Sequence, residues 1–249
     1  MPAMTTMTTL GYATLADGVY YDTVSQLGSF ARQTLRPNEI SGFHAALYMR
    51  AVGGQLEYVV SFAGSETDQV MVDWRADLGF GGSKGQIALA ALGGLAGIGL
   101  AAHAERLLAQ QRASAIAFTI QAMQAAKSSR LTLTGHSLGG GLAQMAAAAT
   151  GVAAVTFSAP AVSAVKGVEA SFGRNRPKIV NFRVKNDPVN ISEQAGKRLG
   201  VVVTMMSPRG IDAAHQIPNT LEELRPQGQF STTGARDPFS FQGDMSISS

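Results

Sequence analysis

The stretch Leu131–Ala149 constrains this chain more than any other. It opens with Leu131-Thr132-Leu133-Thr134, whose strict alternation reads as a short strand. Gly135-His136-Ser137-Leu138-Gly139-Gly140-Gly141 follows, and Leu142–Ala149 is a run of helix formers. A strand that turns through glycines directly into a helix is half of a parallel crossover unit. Ala153–Phe157, Lys178–Val184 and Val201–Met205 read as further strands, the first two closed by Ser158-Ala159-Pro160 and Asn186-Asp187-Pro188. Strands alternating with helices predict an α/β protein, with a mostly parallel central sheet covered by helices on both faces. With 249 residues, 45% of them hydrophobic, the chain has material for one large core.

The N-terminal half fits this plan. Thr8–Phe30 reads as one or two helices, and His44–Arg50 with Gln55–Phe62 as a hairpin turning at Gly53-Gly54. Ile87–Ala102 has no polar side chain and contains four glycines. As a helix it would span about 24 Å, short of the ~30 Å hydrocarbon core of a bilayer. Ala104–Ala126 reads as a long covering helix. Past Leu224 the sequence turns polar, so 227–249 is expected to be a flexible tail on a single domain of residues 1–226.

Composition removes several chemistries. The chain contains no Cys, which excludes a disulfide scaffold, a cysteine-ligated zinc or iron–sulfur site and a thiol nucleophile. Net charge is only +3. The one basic cluster, Arg174, Arg176, Lys178, Arg183 and Lys185, lacks interleaved aromatic residues, so it reads as a solvated loop and strand edge and no nucleic-acid partner is expected. Met1–Leu10 lacks a basic start and an apolar run, so the expectation is cytoplasmic synthesis, and export, if any, by a leaderless route.

Gly135-His136-Ser137-Leu138-Gly139 fits the G-x-S-x-G elbow, in which a serine sits on a strained strand-to-helix turn. Gly81-Gly82-Ser83-Lys84-Gly85 matches the same pattern but follows no strand, which makes Ser83 a loop serine. Ser137 therefore stands as the candidate nucleophile. Its base should lie downstream, since triads on such elbows run Ser, acid, His along the chain. Of His44, His103, His136 and His215, only His215 does so. Glu169, Asp187, Glu193 and Asp212 lie between the two. Asp187 is favoured because it follows a strand's carboxyl end, where open α/β sheets place their sites. Asn-Asp-Pro is also an ordinary turn former. For the oxyanion, the Leu138 N–H follows from the elbow, and Ser65, after the strand Leu56–Phe62, is the second candidate donor.

Together, Phe62-Ala63-Gly64-Ser65, Asp73-Trp74 with Asp77, the elbow, Thr156-Phe157-Ser158-Ala159-Pro160 and Asn186-Asp187-Pro188-Val189 resemble the class 3 (fungal-type) lipases. The likeness runs from about residue 45 to 216; Ala63 stands where that family usually has Arg. The resemblance implies an α/β-hydrolase fold and esterase activity on acylglycerols or phospholipids, with no metal or other cofactor. It implies Ser137, Asp187 and His215 as the triad and Ser65 with Leu138 as the oxyanion hole. It also makes residues 79–103 a lid-like apolar insertion that meets a membrane surface; a buried core helix is the alternative. The chain is further similar to phospholipase effectors of the bacterial type VI apparatus, which would imply an immunity protein as partner. Two other readings stay open: a soluble esterase or thioesterase, and a membrane-inserting toxin using Gly93-x-x-x-Gly97 with the hydrolase core as scaffold.

Overall fold

The computed structural model describes residues 7–36, 39–64 and 83–248, the last segment with side chains from 105 onward. Among the described residues, the sheet has nine strands in the order in which the chain makes them. These are β1 (Gln26–Leu27), β2 (Phe30–Arg36), β3 (Ala45–Val52), β4 (Gln55–Phe62), β5 (Arg130–His136), β6 (Ala153–Phe157), β7 (Ile179–Val184), β8 (Val201–Met205) and β9 (Met245–Ile247). The pairings from β1 to β4 are antiparallel, and every pairing from β4 to β9 is parallel. The β3–β4 hairpin turns at Gly53 and Gly54, both at positive φ.

Helices cover both faces. The principal ones are α1 (Thr9–Gly18), α2 (Ser83–Ala126), α3 (Leu138–Thr150), α4 (Val168–Asn175), α5 (Ile211–His215), α6 (Ile217–Leu224) and α7 (Ser231–Ala235). Alternation along the strands divides the core. Val59, Val155, Phe157 and Phe182 point to a layer with Tyr12 and Leu15 of α1 and Leu221 of α6. Val60, Phe62 and Leu133 point to the opposite layer with Phe118 of α2 and Leu142, Met145 and Ala146 of α3. Residues Leu138–Ala148 of α3 are buried all round, which is why this helix is apolar on every side.

Three expectations change. The segment 8–30 is not helical throughout: α1 stops at Gly18, where a Cβ would lie 2.1 Å from Leu27 Cδ1, and the chain turns into β1 and β2. The segment 227–249 is not a loose tail. It carries α7, a 3-10 turn at Pro238–Ser240 and β9, which extends the sheet beside β8, and it buries Phe230 and Phe241. Phe241 packs edge-on against Phe182, with ring centroids 5.6 Å apart. Third, the apolar stretch and the covering helix are one continuous α2. Residues 79–82 and the side chains of 83–103 lie outside the described residues, and with them whatever the lid-like segment covers. Among the described residues, no helix is long and apolar enough to cross a membrane.

Candidate active site

The site forms at the carboxyl ends of β4, β5 and β7. Strand β5 ends at His136, and α3 begins one residue later, so Ser137 carries the whole turn. It adopts φ 57° and ψ −130°, a conformation that costs a non-glycine residue about 1–3 kcal/mol and persists only where the surroundings impose it. The surroundings are glycines. A Cβ at Gly139 would sit 2.1 Å from the carbonyl oxygen of Phe62, and one at Gly135 would sit 2.5 Å from the backbone of Gly139. The strand ends and α3 thus cross at backbone contact, and the serine is forced outward, only partly buried, between buried neighbours.

His215 Nε2 lies 3.0 Å from Ser137 Oγ. Its other ring nitrogen, Nδ1, lies 2.9 Å from Asp187 Oδ1. A carboxylate only accepts, so Nδ1 carries the proton and Nε2 accepts the serine hydroxyl. Asp187 is buried and caps the 3-10 turn Pro188–Gln194, its Oδ1 also accepting from the Val189 N–H at 2.9 Å. One carboxylate oxygen therefore serves both roles read from the sequence, turn former and histidine partner. Among the described residues its Oδ2 is buried without a hydrogen-bond partner.

The turn bearing Asp187 is held from behind. The buried Arg198 donates to the Ala159 carbonyl at 2.6 Å and to Asn190 Oδ1 at 2.8 Å, and it pairs with Glu193. Ser192 Oγ accepts from the Ala161 N–H at 2.9 Å. The strand-end loop after β6 and the turn after β7 are thereby one rigid unit.

The other candidates are elsewhere. Glu193 is engaged by Arg183 and Arg198, Glu169 lies in the first turn of α4, and Asp212 in the first turn of α5. His44 is buried, 3.1 Å from Asp22. Ser83 starts α2, and its side chain, like that of His103, is outside the described residues. So is Ser65. Its predecessor Gly64 is described, and a Cβ there would lie 3.1 Å from Ser137 Cβ, so the chain just past β4 abuts the serine. Leu138 is the first residue of α3, where an N–H has no intrahelical acceptor. Among the described residues, no group of three or more His, Asp or Glu could hold a metal ion.

Sequence reasoning did not single out Tyr20, and it passed over His136 because that residue does not lie downstream of Ser137. Tyr20 Oη accepts from the Gly64 N–H at 2.8 Å and lies 3.3 Å from His136 Nδ1. His136 Nε2 lies 2.6 Å from the carbonyl oxygen of His215, and the two imidazoles stand 4.8 Å apart. Burial, with the neighbouring His215 ring as a lesser cause, pushes the His136 pKa down to about 3.

Three comparisons bear on this arrangement. A family model described as phospholipase-like, with a Tle-like phospholipase domain, matches residues 106–235, more than half of the 249-residue chain. No curated protein matches. Among solved structures, a triacylglycerol lipase from Penicillium expansum is similar at a TM-score of 0.52 and 14% identity, over 82% of this chain and 79% of that one. The Rhizomucor miehei lipase in its propeptide complex gives 0.48 and 17% identity over 72% of this chain, which spans 60% of that lipase's length. Lip2 lipase of Yarrowia lipolytica gives 0.47 and 14% identity, over 95% of this chain and 93% of that one. The mostly parallel sheet, the elbow at its centre and the likeness to the Penicillium structure make this an α/β-hydrolase fold. With more than half its length inside that family model, the chain belongs to the phospholipase-like family of Tle-like phospholipase domains.

Proposed function

We propose that this chain hydrolyses carboxylic ester bonds of lipids, phospholipids first among them, through an acyl-enzyme on Ser137. The observation that carries the reading is the pair of contacts from His215, to Ser137 Oγ at 3.0 Å and to Asp187 Oδ1 at 2.9 Å. In this reading Ser137 Oγ attacks the ester carbonyl while His215 Nε2 takes its proton. Asp187 holds the imidazole in the right tautomer and stabilises it when charged. The same proton then passes to the leaving alcohol, and a water activated by His215 releases the fatty acid. The Leu138 N–H and, in the proposal, Ser65 receive the oxyanion.

Membership of the phospholipase-like family supports a lipid substrate. The lid role of 79–103, delivery by a type VI apparatus and an immunity protein as partner belong to the proposal too; their support is the likeness in sequence. Product analysis by mass on mixed phospholipid and triglyceride dispersions, wild type beside Ser137→Ala, tests the reading. Free fatty acid and a lysophospholipid are expected from wild type only. Release by both proteins, or cleavage of short soluble esters alone, would overturn it.

A further inference from the structure

Four groups around Ser137 form one line of donation that the hydrolytic mechanism above does not use. The Gly64 N–H donates to Tyr20 Oη over 2.8 Å. His136 Nε2 faces a backbone carbonyl, which only accepts, so that nitrogen carries the proton and donates to His215 O over 2.6 Å. His136 Nδ1 then has a free lone pair, and the Tyr20 hydroxyl donates to it over 3.3 Å. The line begins at the residue before Ser65 and ends on the backbone of His215.

We infer that Tyr20 and His136 are positioning residues which hold the backbone just past β4, at Gly64, and the backbone of His215 at a fixed distance on either side of Ser137. Neither touches the hydroxyl that reacts. Both segments need such a hold. Gly64, two residues past the end of β4, has no side chain to pack, and His215 ends α5, a helix of only five residues. Tyr20 itself is fixed by the C-terminal end of α1, where its N–H donates to the Asp17 carbonyl at 3.2 Å. The elbow places His136 next to Ser137 in sequence, with its ring packed edge-on to Tyr20 and tilted against His215. Burial keeps this imidazole neutral, as the direction of donation requires. A displacement of about 1 Å in a donor or base costs on the order of 100-fold in rate, so small losses of hold should be legible in turnover.

The inference rests on the serine-hydrolase reading, and its test separates the two. Tyr20→Phe, His136→Phe, His136→Gln and the Tyr20→Phe/His136→Phe pair are compared with wild type and Ser137→Ala. Each is assayed for turnover of a short-chain ester and for labelling by an alkyl fluorophosphonate, and thermal unfolding checks its fold. Tyr20→Phe and His136→Phe should each lower kcat about 10- to 100-fold with KM within about 2-fold. His136→Gln should recover much of the loss, because its amide nitrogen reaches the place of Nε2 and still donates to His215 O. The double variant should be no slower than the slower single variant, since the two side chains act through one another. Folded Tyr20→Phe and His136→Phe proteins with wild-type kcat, or losses that multiply in the double variant, would overturn the inference and leave the triad standing. Turnover retained by Ser137→Ala would overturn both.

Discussion

His215 reaches Ser137 across 78 residues of chain, its Nε2 resting 3.0 Å from the serine hydroxyl. The contact joins a short helix after β8 to the elbow after β5, and the parallel pairings from β5 to β8 bring the two together. An arrangement of Ser137, Asp187 and His215 drawn from three strand ends inherits its geometry from the sheet. Its local supports are the strained φ of Ser137, the cap at Asp187 and the hold on His215 from His136.

Asp187→Asn separates the charge from the cap. The amide oxygen still accepts from one neighbour, but it no longer fixes the Nδ1–H tautomer of His215. Turnover should fall about 10³- to 10⁴-fold. Stability should hold or rise, because the buried carboxylate carries an oxygen with no partner among the described residues. Kinetics and thermal unfolding of the same preparation check both halves.

Gly139→Ala is expected to damage the fold itself. The added Cβ would come within 2.1 Å of the Phe62 carbonyl oxygen, a backbone atom of a central strand that has nowhere to go. Overpacking of this kind costs about 3 kcal/mol or more, seen as a lowered urea midpoint or loss of soluble protein. A variant as stable as wild type would mean that the elbow is looser than its geometry requires.

Phe241→Ala tests the C-terminal segment. Phe241 is buried against Phe182 on the central strand β7, with Arg236 stacked over its ring at 4.5 Å. Truncating it should cost about 3–5 kcal/mol in chemical unfolding. A change of less than about 1 kcal/mol would return residues 227–249 to the role of a tail.

Acid should destabilise the fold partly through His136. Its native pKa of about 3 lies below the ordinary 6.5, so between those values the unfolded chain binds a proton that the native state refuses. Stability contributed by the neutral ring is present above about pH 6.5 and drains away as pH falls, on the order of 1 kcal/mol per pH unit. Urea midpoints of His136→Gln should therefore fall less steeply than those of wild type between about pH 6.5 and pH 4. Parallel profiles would contradict the assignment.

Much of this was legible in the sequence because it is local. Leu131–Ala149 spells a strand, a glycine turn and an apolar helix within one window, and the structure puts each there. His215 was reachable by chain order, and Asp187 by its place after a strand's carboxyl end, although their meeting is a property of the sheet. The remainder depends on packing that no window reports. Phe230 and Phe241 stand among polar residues, and their burial comes from the core they share with Leu221 and Leu224 of α6 and Phe182 of β7. Strand β2 is mostly polar, with Phe30 its buried residue, so it gives no alternating signal; pairing with β3 makes it a strand. Tyr20 follows the end of α1 like any tyrosine, and two of its partners are 44 and 116 residues away.

The account stands most directly on which atom becomes acylated. Peptide mapping by mass after treatment with a long-chain alkyl fluorophosphonate reads it, on wild type, Ser137→Ala and His215→Ala. One adduct on Ser137 is expected, absent from Ser137→Ala and formed at least about 10³-fold more slowly by His215→Ala. An adduct on another residue, or labelling of Ser137 at the same rate without His215, would contradict it.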